Sequence, residues 1–151
     1  MVKAVGCIIY SSNSRRFCFQ LRSTLVKYPL TWGFWGGKSQ GKEKTSDTLF
    51  RELTEELGLV PQIIDIQLLD IYRKHKKFEY KSFCVIIRNE FCPFTNNESS
   101  GFAWIDTPNY PEPMHTNAKI ILSKKHVIKK INYIKKYYNN SQTLKIIAKN
   151  N

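Results

Sequence analysis

Glu52, Glu55 and Glu56 stand at i, i+3 and i+4, a spacing that points three carboxylates along one face of a helix. Carboxylates held that close repel one another unless a hard cation sits among them. The trio therefore predicts a Mg²⁺ site, which Mn²⁺ can also fill. Just upstream, Gly36-Gly37 through Gly41 form a glycine-rich loop leading into the helix, where backbone can approach an ion or ligand closely. Such a platform suits phosphate chemistry, because a bound cation neutralises phosphate oxygens, polarises the P–O bond and lowers the pKa of a bound water.

The helix that carries the glutamates is predicted to start near Ser46, with Ser46, Asp47 and Thr48 supplying capping and first-turn oxygens. Leu49, Phe50, Leu53 and Leu57 form an apolar stripe that anchors one side in a core. Gly58 supplies a left-handed stop. Before the helix, residues 3–10 and 16–22 read as strands joined by the turn-like SSNSR. After it, 63–73 and 78–88 predict a hairpin across His75-Lys76-Lys77, and FAWID at 102–106 a further short strand. A loop with Pro108, Pro111 and Pro113 precedes a final helix. No repeat or linker divides the chain, which at 151 residues is long enough for one domain with a sizeable core.

The stretch from Gly37 to Leu59 fills the pattern G-x5-E-x7-R-E-U-x-E-E-x-G-U (U a bulky aliphatic) with Gly37, Glu43, Arg51, Glu52, Leu53, Glu55, Glu56, Gly58 and Leu59. That pattern resembles the signature of the Nudix hydrolases. The resemblance implies a single-domain α/β fold, an α/β/α sandwich with a mixed sheet over residues 1–140, followed by a tail at 141–151. It implies hydrolysis of nucleoside diphosphate derivatives by water attack on a pyrophosphate phosphorus. Glu55 and Glu56 would be metal ligands, Glu52 a ligand or the general base, and a backbone carbonyl at Gly37 or Gly36 a further ligand. Glu43 and Arg51 would pair to clamp the loop onto the helix. The base in this family is not fixed in position; Glu98 is the candidate for a fourth carboxylate, ahead of Glu79 and Glu90.

Substrate contacts are expected from aromatic side chains that stack on a base, namely Trp32, Trp35 and Tyr80, with Phe19, Tyr28, Phe78 and Trp104 also in view. Arg22, at the end of a strand before the loop, is placed to reach a phosphate. Trp35 stands where many relatives carry proline. Subfamily markers that follow the signature in ADP-sugar and dinucleoside polyphosphate hydrolases are absent, but in size, composition and element order the chain is similar to the small Nudix hydrolases of T-even bacteriophages. That likeness favours ADP-ribose, dinucleoside polyphosphates such as diadenosine triphosphate, and FAD.

The formal net charge is +12. No acidic residue follows Glu112, and nine lysines lie between Lys119 and Lys149. Val127, Ile131, Ile134 and Tyr138 recur there at helical spacing with lysines mostly elsewhere around the helix. A solvated basic face, steering of a polyanionic substrate and docking of RNA phosphates all fit. RNA 5′-end pyrophosphohydrolysis or decapping, nucleoside triphosphate hydrolysis and a non-catalytic binding module therefore remain open beside the leading reading. Cys7, Cys18, Cys84 and Cys92 show no C-x-x-C spacing and read as reduced thiols of a cytoplasmic protein, the host cytoplasm for a phage protein. No apolar run is long enough for a membrane span. Many members of the family dimerise, so a homodimer is also an expectation.

Overall fold

The computed structural model describes residues 1–59 and 61–150. In chain order it contains β1 (Val2–Ser11), β2 (Phe17–Arg22), β3 (Trp32–Gly33), α1 (Thr45–Leu57), β4 (Ile63–Lys74), β5 (Phe78–Ile87), β6 (Ser99–Ile105), α2 (Thr116–Ser123), α3 (Lys125–Tyr137) and α4 (Asn140–Asn150). The strands make one mixed sheet with the path β3-β2-β1-β5-β4, and β6 adds to β2. β1 and β5 are parallel over their full length, whereas the 63–88 hairpin is antiparallel as its sequence predicts.

Alternation along β1 divides the core between two layers. Val5, Cys7 and Ile9 face Leu49, Leu53 and Leu57 of α1 on one side of the sheet. Ile8 and Tyr10 face Ala118, Ile121, Val127, Ile131 and Ile134 of α2 and α3 on the other. The result is an α/β/α sandwich with the acidic helix alone on its own side. Phe50, expected in the apolar stripe, is exposed, because the arc of α1 facing the sheet is already filled by the three leucines.

Two helix boundaries differ from expectation. Lys44 occupies the N-cap of α1 without a side-chain bond. Thr48 is turned inward, its hydroxyl donating to the Lys44 carbonyl (3.1 Å) and lying within hydrogen-bond distance of Ser39 Oγ (2.9 Å) and Glu43 Oε2 (3.1 Å). The single C-terminal helix is three. Lys124, whose Nζ is 2.6 Å from Asp70 Oδ2 on β4, takes an extended conformation between α2 and α3. Residues 141–150, predicted as a tail, belong to α4. Thr143 Oγ1 lies 2.9 Å from Ser12 Oγ, and Ile146 packs against the core. Residue 151 lies outside the described residues. Among those described, no helix is long and apolar enough to cross a membrane.

Candidate functional site

After β3 the chain leaves β2 and runs beside β1, with bridges Cys7 to Trp35 and Ala4 to Lys38. Gly36 and Gly37 lie in this crossing and bring the backbone onto α1. Gly36 has φ 135°, and a Cβ there would fall 2.4 Å from the Val5 carbonyl, a combination only glycine accepts. Its N–H donates to Glu56 Oε2 at 2.6 Å. A Cβ on Gly37 would meet both Glu52 carboxylate oxygens at 2.6 Å. The loop glycines and two of the three clustered glutamates of α1 are thus in direct apposition.

Glu56 is the most deeply placed of the three, 2% exposed, and it also accepts from Gln20 Nε2 at 3.0 Å. Burial pushes its carboxyl up to about 8, against the Gly36 and Gln20 hydrogen bonds and with help from the charges of Glu52 and Glu98. Glu52 is raised for the same first reason, desolvation. Glu55 is exposed, with half its side-chain surface in solvent. Arg51 holds the rim together: its Nε is 2.8 Å from Glu43, and Nη1 is 2.8 Å from Glu52 and 3.0 Å from Glu55. Nη2 donates to the Lys38 carbonyl at 2.9 Å. Glu43 is held down at about 2 by Arg51 and by the Gln40 N–H, so an ion pair joins the loop to α1.

Glu98 lies exposed in the turn before β6, close enough that its charge raises both Glu52 and Glu56. The weaker candidates are used elsewhere, Glu79 with Arg73 and Glu90 with Arg16. The Gly37 carbonyl accepts the Val5 N–H at 2.9 Å. The Gly36 carbonyl accepts no hydrogen bond among the described residues.

The same two glycines line a cleft of about 210 Å³ on the α2 side of the sheet, together with Arg22, Phe34, Lys38, Phe78, Tyr80, His115 and Asn117. A smaller apolar lobe shares Phe78, Tyr80 and Asn117 and extends to Tyr72 and Ile120. Arg22 is oriented by two bonds to the Lys27 carbonyl, 3.0 and 2.8 Å. His115 caps α2 by accepting the Asn117 N–H and meets Tyr28 edge-on at 4.8 Å. Burial and the Arg22 charge lower its pKa, which favours a neutral ring in the cleft.

Arg22 and Tyr80 therefore reach the cleft, and the two tryptophans do not. Trp32 packs against the core. Trp35 is 0% exposed, and its indole N–H donates to the Cys18 carbonyl at 3.2 Å, so no base can stack on it. Its bridge to Cys7 turns the ring into the α1 side of the sheet. Trp35→Ala is expected to cost about 3–5 kcal/mol, read as a lower urea midpoint at unchanged slope. Phe19 is likewise core. Gln20, Lys38 and Asn117 were not expected. Of these Gln20 leaves a trace, an amide at an inward position of the otherwise apolar FCFQL.

Gly37→Ala separates position from stability. The methyl group meets the mobile end of Glu52 rather than backbone, so the melting temperature should scarcely move. The displaced carboxylate should lower hydrolysis by about tenfold or more, since shifts of about 1 Å at a reacting centre cost up to about 10²-fold.

Comparison with known proteins agrees with this architecture. The NUDIX domain family model matches residues 1–121, and the chain belongs to that family. The MutT NUDIX hydrolase of Burkholderia pseudomallei is similar in fold at 19% identity, with TM-score 0.60 over 82% of this chain and 98% of that one. A NUDIX hydrolase from Nitrosomonas europaea is similar at 20% identity, TM-score 0.65, over 83% and 69%. The NUDIX domain of Shewanella oneidensis NrtR, solved as a complex with ADP ribose, is similar at 15% identity, TM-score 0.65, over 85% and 87%. No curated protein matches the chain, so the narrower likeness to phage enzymes gains nothing from these comparisons.

Proposed function

We propose that the protein is a Mg²⁺-dependent pyrophosphatase that cleaves the diphosphate linkage of nucleoside diphosphate derivatives, with ADP-ribose, dinucleoside polyphosphates and FAD as the substrate class. The observation that carries the reading is the apposition of Glu52 and Glu56 with Gly36-Gly37, where the same glycines line a cleft that also holds Arg22, Lys38 and Tyr80.

The donor set fits a hard cation. All its atoms are oxygens, and Glu52 and Glu56, raised first by burial and further by neighbouring carboxylates, form a site short of positive charge. Among the described residues no three such side chains are drawn around one point; Arg51 pairs with Glu52 and Glu55. Glu52, Glu55, Glu56 and the free Gly36 carbonyl would hold Mg²⁺ or Mn²⁺, which supplies phosphate neutralisation and a more acidic water. Arg51 orients two of these carboxylates through one guanidinium. Gln20 and the Gly36 N–H fix the plane of Glu56. Arg22 and Lys38 offer charge to the diphosphate, and Phe78 and Tyr80 offer rings to the base. Glu98, exposed and free of a cationic partner among the described residues, takes the proton of the attacking water. Water oxygen bonds to phosphorus as the bridging P–O bond breaks, so ADP-ribose would give AMP and ribose 5-phosphate.

The test is incubation with Mg²⁺, and separately Mn²⁺, and a panel of ADP-ribose, FAD, diadenosine triphosphate, nucleoside triphosphates and 5′-triphosphorylated RNA, with products resolved by chromatography. AMP from the first three is the expected result. Release only from triphosphates or RNA would move the function to pool sanitation or 5′-end processing. Silence throughout would leave a binding module.

A further inference from the structure

The seven lysines from Lys119 to Lys136 divide into two groups. Lys119 pairs with Glu112, Lys124 with Asp70 and Lys135 with Asp106, and Lys130 donates to the Leu68 and Leu69 carbonyls. These are consumed in holding α2 and α3 to the rest of the fold. Lys125, Lys129 and Lys136 make no hydrogen bond or ion pair among the described residues and are exposed. At 3.6 residues per turn they fall within about 40° of one another around α3. That stripe lies opposite the buried Val127, Ile131 and Ile134.

Beside the stripe, Tyr133 and Tyr137 stack on each other, centroids 5.4 Å apart and planes 13° from parallel. Tyr138, which is core, meets Tyr137 edge-on at 4.9 Å, so the pair is braced at that end. Both stacked rings are nevertheless solvent-facing, 54% and 40% exposed. Two large rings held parallel in water, bordered by three cations with no partner among the described residues, do nothing for the core that α3 does not already achieve with its other face.

We infer that the outer face of α3 binds single-stranded nucleic acid. Phosphates lie along Lys125, Lys129 and Lys136, and bases extend the Tyr133–Tyr137 stack. Flat stacking on rings, tolerant of base identity, with cations along the backbone is the chemistry of sequence-independent single-strand binding. A duplex would offer phosphates but no free base faces. An anionic membrane would satisfy the lysines, yet the face lacks the broad apolar strip that inserts into acyl chains. None of Lys125, Lys129, Tyr133, Lys136 and Tyr137 lines the cleft beside Gly36 and Gly37, so the surface is separate from the proposed hydrolytic centre and does not depend on it.

The experiment is fluorescence anisotropy of a labelled oligouridylate with the full chain across a salt series. Duplex RNA, heparin and phosphatidylserine vesicles serve as competitors, and sedimentation reports the oligomeric state. Three phosphate contacts predict a log–log salt slope of about −2. K125Q/K129Q/K136Q should weaken binding and flatten that slope. Y133A/Y137A should weaken binding to the oligouridylate at least about fivefold while leaving heparin binding and ADP-ribose hydrolysis unchanged. Melting curves confirm that each variant is folded. No binding by the wild type, equal loss of heparin and oligouridylate in the tyrosine variant, or tighter binding of duplex or vesicles would overturn the proposal. So would a dimer that dissociates in Y133A/Y137A, which would make this face a contact between copies.

Discussion

Glu56→Gln should lower the rate of ADP-ribose hydrolysis by at least about 10²-fold, a loss of about 3 kcal/mol of transition-state stabilisation, without unfolding the protein. The side chain is buried and accepts two hydrogen bonds, from the Gly36 N–H and from Gln20. An amide keeps one acceptor for Gly36. Gln20 can turn its own amide to present oxygen to the new donor, so the polar pocket stays satisfied. What the variant lacks is a negative charge where a divalent cation is to be held. Glu98→Gln is the informative companion, because that carboxylate is exposed and joins no such buried network. Activity near wild type in Glu56→Gln would remove the carboxylate from the mechanism.

A second large effect is expected from pH in the metal-free protein. Glu56 is raised from an ordinary 4.5 to about 8 by burial, so the folded state binds this proton more tightly than the unfolded chain. Its contribution to stability is complete below about pH 4.5 and is lost as pH rises through about 8. At up to about 1.4 kcal/mol per pH unit, the loss is on the order of 2–4 kcal/mol, or about 5–10 °C in melting temperature for a domain of this size. Melting wild type and Glu56→Gln in chelator from pH 5 to pH 9 isolates the effect. The difference between them should shift in favour of the variant as pH rises. Mg²⁺ should then raise the wild-type melting temperature more at pH 8.5 than at pH 6, where it must displace the proton. Parallel pH curves for the two proteins would mean that Glu56 does not titrate as described.

The contrast between these residues and the rest of the site shows where the sequence is legible. Glu52, Glu55, Glu56, Glu43 and Arg51 act within one helix and its preceding loop, so spacing along the chain is spacing in space. The pairing of Glu43 with Arg51 is implied by the family signature, and the contacts of Gly36 and Gly37 with Glu56 and Glu52 arise where the loop crosses beside β1. The cleft is assembled from β2, β5 and the start of α2, and only the mixed pairing of the sheet brings those segments together. Trp35 misled because it adjoins the glycines in sequence, yet the bridge to Cys7 rotates its ring into the core. Gln20 is not legible as a site residue in the sequence, because its partner Glu56 belongs to another element 36 residues away. The break between α2 and α3 has no glycine or proline to announce it. It coincides with the ion pair of Lys124 with Asp70, a contact made 54 residues apart.

The carboxylates of α1 are proposed to hold a divalent cation. Mn²⁺ titration followed by electron paramagnetic resonance tests it without any assumption about substrate, because bound Mn²⁺ loses the signal of the free hexaaqua ion. Wild type should deplete that signal, Mg²⁺ should restore it by competition, and Glu52→Gln/Glu56→Gln should leave it untouched while remaining folded. Equal Mn²⁺ binding by wild type and variant would exclude Glu52 and Glu56 as ligands of the cation.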